Sequence, residues 1–508
     1  MSKLEQRSRV AIADKQRGTA LGSPKIAIPA LVGVETWERF SYYGMQAIMA
    51  YYLYDTAVNG GLGLPTTTAT ALMGAYGSLV YLCTIAGGWI GDRLLGAEKT
   101  LLAGSWLLVL GHLALSLIPG GAGVAIGLFL VAIGSGSLKT SAITLLGHVR
   151  PLTDRRRDSD FQMFYFGINV GALLGPLLTG WISVEYGYRI GFAVAAALMI
   201  AGLIHYHALR RPLSASWRAD IRDVVEKPAN RAPGRTIVLV VVAIAVIIAV
   251  LVVLVSAGVL ALSDLATVMF GGTLAVTIGL FAQMLNDGSL SATERRRVAA
   301  FIPLFIVSVA FWAILNQTFG ALAVYADIRT DRMIGDFEAP AAWAQSLNPI
   351  FILLLSTPLA AARLKFREKA PSTPTQILFG AALAGVGVMT LIGYTGMDNG
   401  TVPLVALVAA YGIITFGELH VGPVGMSTAT ALAPEKYATR FSALFFMTMS
   451  VGTAFAGMMS TSYDPNNHSA ELSYFLTIGI GAIALAGLTA VFLPWIKRAM
   501  PEEETAEH

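Results

Sequence analysis

Glu35-Thr36-Trp37-Glu38-Arg39-Phe40-Ser41-Tyr42-Tyr43-Gly44 lies inside the first long apolar segment of the chain and places three charges where a membrane segment rarely carries one. On an α-helix Glu35, Arg39, Tyr42 and Gln46 recur at i, i+4, i+7 and i+11 and share a stripe, with Glu38 at its edge, four residues before Tyr42. A charge at the bilayer centre costs roughly 2.5–3.5 kcal/mol on insertion scales, so such residues face a bundle interior or an aqueous cavity and mark an ion or substrate path. The simpler reading is an ion pair that only locks two helices. Against it, one arginine leaves one of the two carboxylates over, and an ion pair with no other role often stabilises no better than apolar packing.

The composition makes the surroundings of that stripe a membrane. Of 508 residues 55% are hydrophobic and only 13% charged, and the mean hydropathy is +0.65, whereas a soluble chain carries about 25% charged residues. Apolar runs recur at bilayer-crossing length, which argues for helices over the short alternating strands of a barrel. Fourteen spans are expected, near 26–57, 66–92, 98–118, 122–149, 160–184, 189–209, 236–257, 262–285, 299–325, 340–362, 374–395, 401–433, 440–461 and 470–496.

The net charge of +4 could point to nucleic acid, but the 35 lysines and arginines follow topology. Thirty fall on the side of the N-terminus, three on the other side (Arg189, Arg329, Arg332) and two inside spans (Arg39, Lys139). The positive-inside rule then places both termini of a multi-pass membrane protein in the cytoplasm; the family resemblance given below implies a plasma (bacterial inner) membrane. The single cysteine, Cys83, sits in an apolar run, so no intrachain disulfide forms, and no Cys/His zinc spacing exists. Residues 1–25 read as a retained cytosolic leader and 498–508 as a cytosolic tail.

Further candidates follow in order. Gly87-Gly88-Trp89-Ile90-Gly91-Asp92-Arg93-Leu94-Leu95-Gly96-Ala97-Glu98-Lys99 resembles the cytoplasmic loop motif of the major facilitator superfamily, in which an Asp and an Arg clip the cytoplasmic face. Gly134-Ser-Gly136-Ser-Leu138-Lys139-Thr140 fails as a phosphate-binding loop, because Leu138 precedes the lysine within an apolar helix. Lys139 is about ten residues from the cytoplasmic end, so its ammonium asks for a carboxylate or an anionic substrate group. Asn169 is an intramembrane amide beside small residues, equally suited to joining helices. In the second half Glu418 is the deep acidic residue and the natural counterpart of Lys139; His420 is offset from it by two positions, and His112, His205 and His207 have no sequence partners.

The basic segment 210–235 reads as a cytoplasmic linker. Residues 236–285 form an almost purely aliphatic pair of spans, hence an accessory hairpin facing lipid rather than a substrate path. Without it six spans (26–209), a linker and six spans (299–497) remain, the organisation of secondary carriers whose binding site lies at the midplane between repeats. The fold expected is therefore an all-α membrane protein of the major facilitator type, two six-helix bundles plus an extra hairpin.

Glu35-x-x-Glu38-Arg39-Phe40-x-Tyr42-Tyr43 resembles the first-helix signature of the proton-dependent oligopeptide transporter family, and the loop at 88–99, Lys139, the 161–171 stretch, Phe311-Trp312, Ser346-Leu347-Asn348-Pro349 and the 417–425 helix look like that family in the right order. The resemblance implies that Glu35, Glu38, Arg39 and Lys139 couple proton movement to transport. It implies that Glu418 and Asn348 lie near a peptide's amino end, and Tyr42, Tyr43, Tyr76, Lys139 and Asn169 toward its backbone and carboxylate. Trp312 and Phe445 would line side-chain pockets. Two departures stand out: Gln46 where many members have an arginine, and Asn316 where they have a glutamate, so both partners of an outer salt bridge are neutral here and Lys139 carries more of the carboxylate's binding.

What the resemblance implies is a proton-coupled symporter importing di- and tripeptides by alternating access, with peptide, protons and membrane lipid as partners, no nucleic acid, no metal and no cofactor beyond the coupling proton; the oligomeric state is not readable. A same-fold carrier of nitrate or a modified amino acid is the first alternative and a channel another. An embedded enzyme is disfavoured, since HExxH and GxSxG motifs are missing.

Overall fold

The computed structural model describes residues 23–150, 154, 156–215, 217, 222, 225–228, 230–366 and 371–500. The leader up to residue 22, linker positions 216, 218–221, 223–224 and 229, and the tail from 501 lie outside the described residues. Fourteen long helices follow one another: α1 Pro24–Tyr54, α2 Thr66–Ile90, α3 Ala97–Leu117, α4 Gly120–Gly147, α5 Arg156–Tyr186, α6 Tyr188–Ala215, α7 Gly234–Ser256, α8 Leu265–Leu285, α9 Ala292–Leu315, α10 Leu347–Lys365, α11 Thr373–Met389, α12 Leu404–Leu432, α13 Ala438–Ser460 and α14 His468–Lys497. Thirteen helical stretches are long and apolar enough to cross a membrane. The exception is α1, whose 31 residues would span one but whose charged and tyrosine-rich stripe lowers its hydropathy. The chain is a multi-pass helical membrane protein.

The helices group into two compact units, and the division runs through helices rather than along the linker: one unit holds the chain to Met45 with Cys83–Val253, the other Gln46–Leu82 with Leu254 onward. In the first unit α3 packs on α4 and α6, and α5 on α6. The α3–α4 contact is close because glycines face each other: a Cβ on Gly104 would lie 2.7 Å from the Gly134 carbonyl, and one on Gly134 as near the Gly104 carbonyl. After α2 the chain makes one π-helical turn at Gly91–Leu95. Its carbonyls at Asp92 and Arg93 accept the N–H groups of Asn230 and Ala232. The charged contact beside this turn is Glu98, fully buried, with Arg210 at 2.8 Å and 3.1 Å.

In the second unit α9 packs on α11, α12, α13 and α14, and α11 on α12 and α14. The α9 start is capped reciprocally by Ser291 and Glu294, which satisfies two end N–H groups. The helix does not stop at Leu315: it passes through a 3-10 turn, Asn316–Phe319, and a π turn, Tyr325–Arg329. The Tyr54 end of α1 and the Thr66 end of α2 pack within this same unit. Tyr54 donates to Asp327 (2.6 Å), the Ser78 and Ser450 hydroxyls lie 2.9 Å apart, and Gly74 meets Gly457 so closely that a Cβ on either would touch the other backbone. Two small pairings follow α9, β1 Thr330–Asp331 parallel to β4 Val402–Pro403, and β2 Met333–Ile334 antiparallel to β3 Phe337–Glu338.

In the aliphatic pair α7–α8, no residue of α7 is buried. Its partner α8 packs on α13, and Ala266 joins Ala71 and Ala75 in a small core. At the end of α8 the Asp287 carboxylate takes hydrogen bonds from Lys436 and Tyr437, both 2.6 Å. Those bonds hold it well below the usual carboxylate range.

Arg329 is the structural cation of the second unit. It is 3% exposed and donates to Glu471, Asn399 and the carbonyls of Tyr394, Thr395 and Met397, tying the end of α9 to α14 and the α11–α12 loop. Neutralising one partner strands a buried charge, so Glu471→Gln is expected to lose about 3–5 kcal/mol. Thermal unfolding in detergent checks this, and an unchanged midpoint would contradict the clamp.

Candidate functional site

The first unit gathers the charged stripe of α1. Glu35 and Glu38 are fully buried and share one cation: Arg39 Nε lies 3.0 Å from Glu35 Oε1 and 2.6 Å from Glu38 Oε2. From α4, Ser135 Oγ donates to Glu38 Oε1 at 2.8 Å and accepts from Arg39 Nη2 at 3.4 Å. The guanidinium lies 5.4 Å from the Tyr42 ring centre, and Tyr42 packs edge-on against Tyr43. The cluster carries two carboxylates and one guanidinium.

Ser135 was not among the sequence candidates. Its only signal was the Gly134–Lys139 run, whose interest lay in the lysine. One helical turn on, Lys139 projects from the same face of α4 as Ser135. It is half-buried and makes no ion pair with any carboxylate among the described residues. What holds α1 in register is α5: Thr179 Oγ1 donates to the Gly44 carbonyl at 2.7 Å, and a Cβ on Gly175 would lie 2.6 Å from the Phe40 carbonyl. Asn169 on α5 is buried and returns its amide to the Tyr165 carbonyl of its own helix.

The second unit presents the other acid. Asn348 of α10 donates to Glu418 Oε2 at 2.6 Å and to Thr415 Oγ1 at 3.1 Å. Glu418 is half-buried and has no cation among the described residues. His420 turns away, its Nδ1 2.9 Å from the Phe416 carbonyl and its ring between Phe379 and Phe416, as its offset of two predicts. Trp312 is buried beside Phe311, its indole N–H without a partner among the described residues, and Phe445 covers Gly425. Tyr76 is buried on α2.

Gln46 and Asn316 line one cavity in this unit, with Thr70, Thr453 and Ser460 and the facing Gly74 and Gly457. No side chain lining it is charged. Asn316 returns its amide to the Trp312 carbonyl, and Gln317 beside it bonds Ser460 and the Ala456 carbonyl. The two neutral replacements noted in the sequence thus meet in the same space. Among the described residues no group of His, Cys, Asp and Glu side chains could hold a metal ion.

The family model described as POT family matches residues 98–474. The chain belongs to the proton-dependent oligopeptide transporter (POT) family. It is a transporter and not an enzyme. It is 38% identical over 471 residues to the uncharacterized transporter YclF of Bacillus subtilis (strain 168), covering 92% of this chain and 93% of that one. It is 34% identical over 483 residues to a di-/tripeptide transporter of Lactococcus lactis subsp. cremoris, with 92% and 94% covered. The crystal structure of peptide transporter POT in complex with sulfate superposes with a TM-score of 0.87 at 34% identity, covering 93% of this chain and 95% of that one.

In this POT-family chain Ser135 is the neutral member that fixes the buried charges. Ser135→Ala removes a hydrogen bond to a carboxylate, a loss of about 1.5–3 kcal/mol, whereas Ser135→Thr keeps the hydroxyl. Thermal unfolding of the two variants reads the difference; equal midpoints would show that Ser135 does not bind the cluster.

Proposed function

We propose that this chain is a proton-coupled symporter that imports di- and tripeptides across the bacterial inner membrane by alternating access, with both termini in the cytoplasm. The observation that carries the reading is a carboxylate within the second unit, Glu418, oriented by Asn348 and without a cation among the described residues. Within the first unit Lys139 on α4, a turn from the Glu35–Glu38–Arg39 cluster, makes no ion pair among the described residues. A free peptide at neutral pH is a zwitterion, with an amine whose charge suits Glu418 and a carboxylate whose charge suits Lys139. Glu418 is oriented by Asn348, so its second oxygen is left for the amine. Trp312 and Phe445 supply apolar surface for side chains, and Tyr42, Tyr43, Tyr76 and Asn169 supply polar edges for the peptide backbone.

Proton coupling is assigned to Glu35, Glu38 and Arg39. With one guanidinium for two carboxylates, the cluster is neutral when it holds one proton and anionic when it holds none. Lys139, a turn beyond Ser135, responds to that change, which links proton occupancy to the group assigned to the peptide carboxylate. The proton belongs to the coupled cluster rather than to one glutamate. One charge driven through 100 mV supplies about 2.3 kcal/mol, a roughly fifty-fold accumulation.

The curated relative of Lactococcus lactis, a di-/tripeptide transporter, supports this substrate class. The positive-inside distribution makes the Tyr54 end of α1 external, so the contacts of Tyr54, Gly74 and Ser78 within the second unit act as an outer closure. Gln46 and Asn316 leave that closure without the expected salt bridge.

Reconstituted Glu38→Gln is expected to lose accumulation driven by a pH gradient while still exchanging labelled dipeptide across the bilayer. Glu418→Gln should weaken dipeptide competition at least tenfold, in keeping with the roughly 1.5–3 kcal/mol of a charged hydrogen bond. Full accumulation by the first variant would refute the coupling assignment. Competition by nitrate in place of dipeptide would assign the carrier to another substrate.

A further inference from the structure

The β2–β3 hairpin exposes three large apolar side chains, Met333 at 51%, Ile334 at 56% and Phe337 at 46%. We propose that this hairpin is a lipid-binding element that lies in the boundary between phospholipid headgroups and acyl chains, and that it steadies the contact between α1 and the end of α9.

Position argues first. The hairpin begins four residues after Arg329, the end of one membrane span, and ends three before Ala341, the start of the next. At about 3.5 Å per extended residue its first strand stays within about 18 Å of the span end. It is also pinned there. Arg332 pairs with Asp327 in the last turn of the span (3.5 Å) and with Glu338 across the hairpin (2.8 Å). Its Nη1 donates to the Ala339 carbonyl, and the Ala339 N–H donates back to the Arg332 carbonyl.

Chemistry names the occupant. Ile334 lies opposite Phe337 and shares its face, while Met333 lies opposite Glu338 on the other face. The Ile334–Phe337 face is apolar, and the Met333–Glu338 face sets an exposed methionine beside a carboxylate paired with Arg332, a mixture that suits the boundary between acyl chains and headgroups. Phe337 packs at 5.6 Å against Trp343, at the head of the next span, and tryptophan is enriched at the membrane–water interface. The turn carries Gly335, in the left-handed region at φ 66, and Asp336. A charged tip prevents the hairpin from piercing the bilayer, so it lies along the boundary with Asp336 in water. Asp327, which holds Arg332, also receives the Tyr54 hydroxyl at 2.6 Å. Arg332 therefore connects the lipid-seated hairpin to the end of α1. The contrast is Val58, 95% exposed but flanked by Asp55, Thr56 and Asn59, which belongs to water.

The test places a bimane fluorophore on variants that each add one cysteine, Met333→Cys, Ile334→Cys, Phe337→Cys, Asp336→Cys and Val58→Cys, in proteoliposomes of phosphatidylethanolamine and phosphatidylglycerol. Native Cys83 is buried, and the unsubstituted protein carried through the labelling measures any reaction there. Labels at 333, 334 and 337 should emit at shorter wavelength, lose emission when nitroxide-bearing phospholipid is included, and resist aqueous iodide. Labels at 336 and 58 should do the reverse. If Phe337→Cys fails to fold, the Met333 and Ile334 variants carry the comparison. Iodide quenching at 333 and 334 without nitroxide quenching would overturn the proposal, and so would shielding from both quenchers, which would mean a protein surface covers the hairpin.

Discussion

A single guanidinium shared by two carboxylates inside a membrane helix is the constraint on which the rest of the structure depends. Neither glutamate reaches water, since both are fully buried. Each therefore needs Arg39, and the remaining lone pairs need a donor that a lipid-facing helix cannot supply. That requirement brings α4 against α1, because Ser135 is the group that reaches both Glu38 and Arg39. It also places Lys139 a turn away on the same helix. An electrostatic demand thus becomes a packing rule, met by glycines that let α4 approach α3 and α5 approach α1.

The second unit solves the same problem differently. Arg329 is as buried as Arg39, but all its donors are spent on Glu471 of α14, Asn399 and three backbone carbonyls between α11 and α12. A saturated cation fixes geometry. Glu418, held only by Asn348 and lacking a cation among the described residues, is free to take one. The number of valences that the protein itself satisfies separates this clamp from the group proposed to bind the peptide amine.

Much of this was legible in the sequence because it is local. The α1 stripe follows from i, i+4 spacing, the helix count from apolar run length, and the exclusion of His420 from its offset of two positions. The missing parts are contacts between distant residues. Ser135 lies 97 positions from Glu38, and no periodicity links them. Arg329 reads as an external loop cation because the apolar run ends near residue 325, yet the helix continues through a π turn and buries it beside Glu471. The strands of the 330–338 hairpin are two residues each, too short for alternation to register.

The central claim is that peptide and proton cross together. Unmodified protein reconstituted into vesicles loaded with the pH-sensitive dye pyranine, with equal pH on both sides and no imposed potential, tests it most directly. Adding dipeptide outside is predicted to acidify the lumen in step with its uptake. Uptake of the dipeptide with no change in lumenal pH would contradict the account.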